Sequence, residues 1–336
     1  MKAMVLRTPG PAESSPLVHA DIGIPAIGDG GVLVKVEACG VCRTDLHIAE
    51  GDLPVMKENL IPGHEVVGRI VDIGRDVHAF KKGDRVGVPW LRWTCGKCEF
   101  CLSGRENLCR EKRFTGYSDD GGYSEFVSAN ADYIFKLSES LPPELAAPYL
   151  CSGIIGYRAF KLACPSVRDG ARIGIFGFGG SAHLTVQLAS KLGARAVVVS
   201  RGKEHLELAR ELGAYETYVS GEADLPGLRL DSAIVFAPSG RVVLQALEAI
   251  KPGGSVAVPA IHMDAIPEMD YARHLFGEKK VFSVEANTRS DAREFLAYAE
   301  RFKLKSIVET FSLEDANMAL SSLKGGSIRG AAAIKL

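Results

Sequence analysis

From residue 1 to about 152, short apolar runs alternate with polar positions and are broken by turn residues. VLVKVEA (32–38), EVVGRIVDIG (65–74) and DRVGV (84–88) are rich in Val and Ile. Their period of two predicts strands. Gly-Asp and Pro-Gly pairs punctuate these runs, so this part reads as a mostly β module. The opening MKAMVL lacks a long apolar stretch followed by a small-residue cleavage site and reads as a first strand.

Beyond residue 153 the period changes. ARIGIF (171–176) predicts a buried strand. Leu184, Leu188 and Leu192 then recur at helical spacing, and Gly193 supplies a stop. AVVVS (196–200) is the next strand, and 204–212 is a helix ended by Gly213. SAIVFA (232–237), SVAVPA (255–260) and VFSV (281–284) add further strands. Strand–helix units in succession predict a parallel sheet covered on both faces. Residues 292–302 read as a helix and AAAIKL as a closing strand. The α/β part is therefore expected as an insertion in the β module.

A length of 336 residues suits about two domains. Hydrophobic residues make up 46% of the chain, which excludes a disordered polymer. There are 40 basic and 41 acidic side chains. That balance argues against nucleic acid as partner, which selects a basic surface, and against a polybasic membrane binder. No apolar run reaches the roughly 18 residues of a membrane span.

Cysteine usage changes the picture more. Cys95, Cys98, Cys101 and Cys109 form C-x2-C-x2-C-x7-C, close enough to surround one zinc ion. Four thiolates leave no open position, so this site is expected to be structural. The spacing differs from the ferredoxin patterns of iron–sulfur proteins. Disulfides suit small secreted scaffolds better than a chain of this length. Cys42 in GVCRTDLH, His64 in PGHEVVG and the isolated Cys151 offer ligands that suit a second zinc. They would leave a fourth position for water or substrate. Taken singly, Cys151 reads as a core position before it reads as a ligand. Cys39 and Cys164 read as buried thiols.

Gly177-Phe178-Gly179-Gly180-Ser181-Ala182 follows a predicted strand and opens a helix, the setting of a dinucleotide fingerprint. Gly177 permits the tight turn, and Gly179 lets backbone approach a pyrophosphate. Ala182 takes the third small position. His262 and Met263 are expected to end a parallel strand, where such sheets place ligands.

GVCRTDLH, PGHEVVG, KKGDRVG, the four-cysteine lobe and LCSGIIGYRA together resemble the zinc-dependent medium-chain alcohol dehydrogenases. The resemblance runs in order along the whole chain. It implies an α/β plus mostly-β architecture: a GroES-like catalytic domain (1–153 and 285–336) with an inserted Rossmann domain (154–284), a doubly wound parallel sheet. It implies Cys42, His64 and Cys151 as catalytic zinc ligands. Glu65 would be an occasional further ligand, or else a buried charge paired with an arginine. Asp45 would hold the ligand histidine, a role compatible with capping a helix. Thr44 would contact the alcohol and pass its proton by way of the nicotinamide ribose, with His47 carrying it to solvent. Arg43 and Arg329 would meet the pyrophosphate, and Leu53, Trp90 and Leu91 would line an apolar pocket or serve as core.

The implied activity is reversible hydride transfer between a primary or secondary alcohol and NAD(P). The same machinery admits an NADPH-dependent aldehyde or ketone reductase. Where NAD-binding members carry an acid at the end of the second strand, this chain has Ser200 and Arg201. A hydroxyl and a guanidinium suit a 2′-phosphate, so NADP is expected over NAD. Use of both cofactors, with Arg201 stacked on adenine, is the alternative. The resemblance further implies two zinc ions per chain, small-molecule alcohol and aldehyde substrates, a cytoplasmic homo-oligomer, and a tetramer rather than a dimer.

Overall fold

The computed structural model describes residues 1–336. The N-terminal part contributes β1 (Lys2–Leu6), β2 (Leu17–Asp21), β3 (Gly31–Val41), α1 (Arg43–Glu50), β4 (Glu65–Ile73), β5 (Arg85–Val88), β6 (Leu91–Trp93), α2 (Glu99–Leu102), β7 (Arg113–Phe114), β8 (Phe126–Asn130), β9 (Phe135–Lys136) and α3 (Pro143–Ala146). The middle part runs through α4 (Ser152–Ala163), β10 (Arg172–Phe176), α5 (Gly180–Lys191), β11 (Arg195–Ser200), α6 (Lys203–Glu211), β12 (Glu216–Val219), β13 (Leu230–Val235), α7 (Gly240–Ala249), β14 (Ile250–Val258), α8 (Tyr271–His274) and β15 (Lys280–Ser283). The tail adds α9 (Arg289–Phe302), β16 (Val308–Phe311), α10 (Ala316–Gly325) and β17 (Ala331–Lys335).

The chain divides into two units. The first comprises Met1–Cys151, Ala286–Arg293 and Ser306–Leu336, and the second Ser152–Glu285 and Glu294–Lys305. The first unit is built on a seven-stranded sheet of order β16-β17-β3-β4-β5-β9, with β8 also paired to β3. Along β3, Val32, Val34 and Val36 point into the core, as the alternation predicts. Beyond Ala38 both faces of β3 are buried. Antiparallel pairing places Cys39 opposite Val66 and Gly40 opposite Glu65. That register brings the residues after β3 and those before β4 to one end of the sheet, which is how Cys42 and His64 become neighbours.

The second unit holds six parallel strands in the order β12-β11-β10-β13-β14-β15. This is the doubly wound arrangement, in which the order reverses beside the first strand. Its interior positions, such as Ile173, Ile175, Val197, Val198 and Ile234, are fully buried, as a sheet covered on both faces requires.

Two details differ from the sequence reading. Residues 294–305 belong to the second unit, not the first. The reason is packing: Phe295 lies against Gly153, where an added Cβ would sit 2.3 Å from its ring. In addition, β14 ends at Val258 and Pro259 follows, so His262 and Met263 lie beyond the strand. Proline has no amide to extend the ladder. No helix is long and apolar enough to cross a membrane.

Candidate active site

Cys95, Cys98, Cys101 and Cys109 converge on one point. Their sulfurs lie 3.5 Å (Cys98–Cys101), 3.6 Å (Cys95–Cys109) and 3.9 Å (Cys95–Cys101) apart. A tetrahedron with zinc–sulfur bonds of about 2.3 Å has edges of about 3.8 Å. Disulfide sulfurs would stand at about 2.05 Å. Burial pushes the Cys109 thiol up to about 11. Gly96 and Gly104 both adopt positive φ, turning the chain between the ligands. The four side chains fit a structural zinc ion.

The second convergence is Cys42, His64, Glu65 and Cys151, whose donor atoms all lie within 4.8 Å of one another. Cys42 precedes α1, His64 immediately precedes β4 and Cys151 immediately precedes α4. Asp45 and His64 are fully buried. Asp45 Oδ1 accepts from His64 Nδ1 at 2.9 Å and from the Gly63 amide at 3.1 Å. Its Oδ2 accepts from the Cys42 amide at 2.9 Å. One carboxylate thus both caps α1 and sets the histidine tautomer. With Nδ1 donating, His64 Nε2 keeps its lone pair, and this buried atom has no hydrogen-bond partner. A buried acceptor without a hydrogen-bond partner beside two sulfurs has the arrangement of a metal ligand. Hydrogen bonding between the thiols lowers Cys42 well below the ordinary thiol range and, with burial, raises Cys151. The donor set suits zinc.

Around this cluster, Thr44 is buried, and its Oγ1 lies 3.9 Å from Cys42 Sγ. His47 sits three residues further along α1 and pairs with Asp52 at 2.8 Å. Trp90 meets His64 edge-on at 5.0 Å between ring centroids. Leu53 is half-buried, while Leu91 is fully buried in β6 opposite Phe114.

In the second unit, Gly177 has φ +86° and closes the turn after β10. A Cβ on it would lie 2.8 Å from the Ala237 amide nitrogen. Gly179 precedes α5 without a side-chain cap, and nothing lies within 4 Å of where its Cβ would be. That open approach to a helix N-terminus fits a pyrophosphate. Ala182 is fully buried on α5, as its position in the fingerprint requires. Gly180 opens the helix. Ser200 is buried at the end of β11, and Arg201 after it is exposed. These residues fit a dinucleotide. Arg43 and Arg329 are exposed in the first unit, Arg43 opening α1 and Arg329 preceding β17.

Residues 28–139 match the alcohol dehydrogenase GroES-like domain model, and residues 180–301 match the zinc-binding dehydrogenase model. The chain is 45% identical over 339 residues to the probable alcohol dehydrogenase AdhA of Mycobacterium tuberculosis, covering 99% of this chain and 97% of that one. The chain belongs to the zinc-dependent medium-chain alcohol dehydrogenases. An alcohol dehydrogenase of Geobacillus stearothermophilus is 39% identical, with 93% of each chain covered. A cinnamyl alcohol dehydrogenase structure from Sorghum bicolor superposes with a TM-score of 0.91 at 28% identity, covering 99% of this chain and 97% of that one.

Several site residues of this alcohol dehydrogenase escaped the sequence reading. Phe114 and Tyr117 stack on Trp90 at 4.5 and 5.7 Å, forming an aromatic wall behind His64. Gly40 leaves room for the Glu65 carboxylate: a Cβ there would sit 1.8 Å from Glu65 Oε2. Tyr123 is fully buried, and the nearby Asp45 and Glu65 carboxylates add to burial in raising its hydroxyl well above the usual range. Phe114, Tyr117 and Tyr123 carry no local motif, and Gly40, although it opens GVCRTDLH, shows its role only in the strand register. Each is recruited by strand register or by a returning loop.

Proposed function

We propose that this alcohol dehydrogenase interconverts a primary or secondary alcohol and the corresponding aldehyde or ketone, with NADP preferred to NAD. The observation that carries the reading is the convergence of Cys42, His64 and Cys151 on one point, with Asp45 holding His64 so that Nε2 faces that point.

Zinc held there supplies a Lewis acid that eases ionisation of an alcohol hydroxyl near neutral pH. NADP supplies the hydride acceptor. The protein's own side chains do the rest. Cys42 and Cys151 contribute thiolate charge, and Glu65 stands ready as a further oxygen donor. Thr44 Oγ1, buried beside Cys42, takes the hydroxyl proton and hands one on. His47, half-buried on the same helix, exchanges a proton with solvent. Trp90, backed by Phe114 and Tyr117, offers an apolar surface. It fits aliphatic or aromatic carbinols better than charged polyols. Ser200 and Arg201 hold a 2′-phosphate that an acid in their place would repel.

The test is an initial-rate survey of alcohols and aldehydes with NAD(H) and NADP(H), before and after chelation and zinc return. Chelation abolishes turnover and zinc restores it. Arg201→Asp lowers kcat/KM for NADP about 10- to 150-fold, the weight of a charge-assisted hydrogen bond of about 1.5–3 kcal/mol. Equal kcat/KM for both cofactors, unmoved by the substitution, contradicts the NADP assignment. The ratio of forward to reverse rates assigns the direction. A tetramer in light scattering completes the reading.

A further inference from the structure

The end of α1 folds back on His47. Gly51 adopts φ +83°, and its amide donates to the carbonyls of His47 and Ile48. The Asp52 amide donates to the His47 carbonyl at 2.9 Å. The same return carries Asp52 Oδ2 to 2.8 Å from His47 Nδ1. Only glycine suits the turn: a Cβ on Gly51 would have to accept positive φ and would stand 3.0 Å from Pro9 Cβ. The His47 side chain is 12% exposed and that of Asp52 37%, so the contact is partly shielded from water.

A carboxylate can only accept, so His47 Nδ1 carries the hydrogen and Nε2 keeps the lone pair. We propose that Asp52 is a positioning residue for proton transfer: it fixes the Nδ1–H tautomer of His47, making Nε2 the atom that takes and releases the proton. The inference rests on the reading of His47 as the outer end of the relay from Thr44. Its chemistry repeats what Asp45 does for His64. Two carboxylates of this segment, one near each end of α1, each lock one imidazole. One histidine is thereby presented to a metal, the other to a proton.

The experiment uses the full-length, zinc-loaded enzyme labelled with 15N-histidine, with ring resonances of His47 identified by difference against His47→Gln. Wild-type protein shows Nδ1 as the protonated nitrogen. Asp52→Ala shows mixed tautomers, and its kcat falls about tenfold, the low end for a residue that orients a catalytic imidazole. KM for alcohol, zinc content and melting temperature stay at wild-type values, because the backbone bonds of the turn remain. Asp52→Glu, which keeps a carboxylate that can only accept, restores the tautomer and most of the lost kcat, whereas Asp52→Asn, which can donate from Nδ2 as well as accept at Oδ1, leaves the tautomer unfixed and kcat low. Unchanged tautomer and kcat in Asp52→Ala overturn the proposal, as does an Asp52→Asn enzyme with full kcat and mixed tautomers. A loss of melting temperature and KM in step with kcat assigns Asp52 a structural role instead and also overturns it. His47→Gln separates the two levels. If it leaves kcat intact, the relay reading fails, while the ring spectra still report whether Asp52 sets the tautomer.

Discussion

Replacing Gly40 by alanine probes how the fold holds Glu65 against Cys42, His64 and Cys151. Gly40 lies directly opposite Glu65 in the β3–β4 pair. The added Cβ would fall 1.8 Å from Glu65 Oε2 and 2.8 Å from both Glu65 Cβ and Cδ. Ordinary contact needs about 3.5 Å, so Oε2 must retreat by about 1.7 Å. Side-chain rotation can relieve the oxygen. It cannot relieve Glu65 Cβ, which moves only with the backbone of β4. Overpacking of this kind costs about 1–3 kcal/mol. Glu65 is almost fully buried, so its displaced carboxylate has no ready solvent to enter. Urea unfolding of Gly40→Ala is expected to show that loss, and kcat should fall to the level of a Glu65→Gln variant. In a Glu65→Ala background the Oε2 and Cδ clashes vanish and only the Cβ contact remains, so the double-mutant cycle should show a coupling of about 1 kcal/mol. A Gly40→Ala enzyme within about 0.5 kcal/mol of wild type, with unchanged kcat, refutes the argument.

Two further outcomes follow from buried titratable groups. His183 on α5 is fully buried, and desolvation lowers it to about 4, against a smaller upward pull from the Gly180 and Gly179 carbonyls. The unfolded chain therefore takes up a proton first as pH falls below about 6.5. Stability should drop by about 2 kcal/mol between pH 6.5 and 5 relative to a His183→Gln variant, as denaturation at each pH would show. Equal pH slopes for the two proteins contradict it. Cys98→Ser should lower bound zinc by one ion per chain and raise proteolysis within residues 95–109, because the lobe has no other cross-link. Undiminished zinc would refute the four-thiolate site.

Much of the fold was legible in local pattern. The Val-rich alternation of β3, the leucines of α5 and the Gly177–Ala182 turn each carry their own signal over a short window. The four-cysteine lobe was legible because its ligands are close in sequence. The Cys42, His64 and Cys151 set is spread too widely for spacing to identify, and family resemblance pointed to it. What stayed hidden depends on packing between strands and loops, or on the conformation of a single turn. The Gly40–Glu65 opposition follows from strand register. The stack of Phe114 and Tyr117 on Trp90 arises where β7 and its loop return beside β6. The Asp52–His47 contact needs a left-handed glycine at one position. The place of 294–305 in the second unit turns on Phe295 filling the space above Gly153.

The most direct test is zinc K-edge absorption with metal counting on native protein and on Cys151→Ser. The account predicts two zinc ions per chain, one bound by sulfur alone and one by two sulfurs with lighter donors. Cys151→Ser should lose the mixed site together with turnover and keep the all-sulfur site. A Cys151→Ser enzyme that retains both ions and full activity contradicts the account.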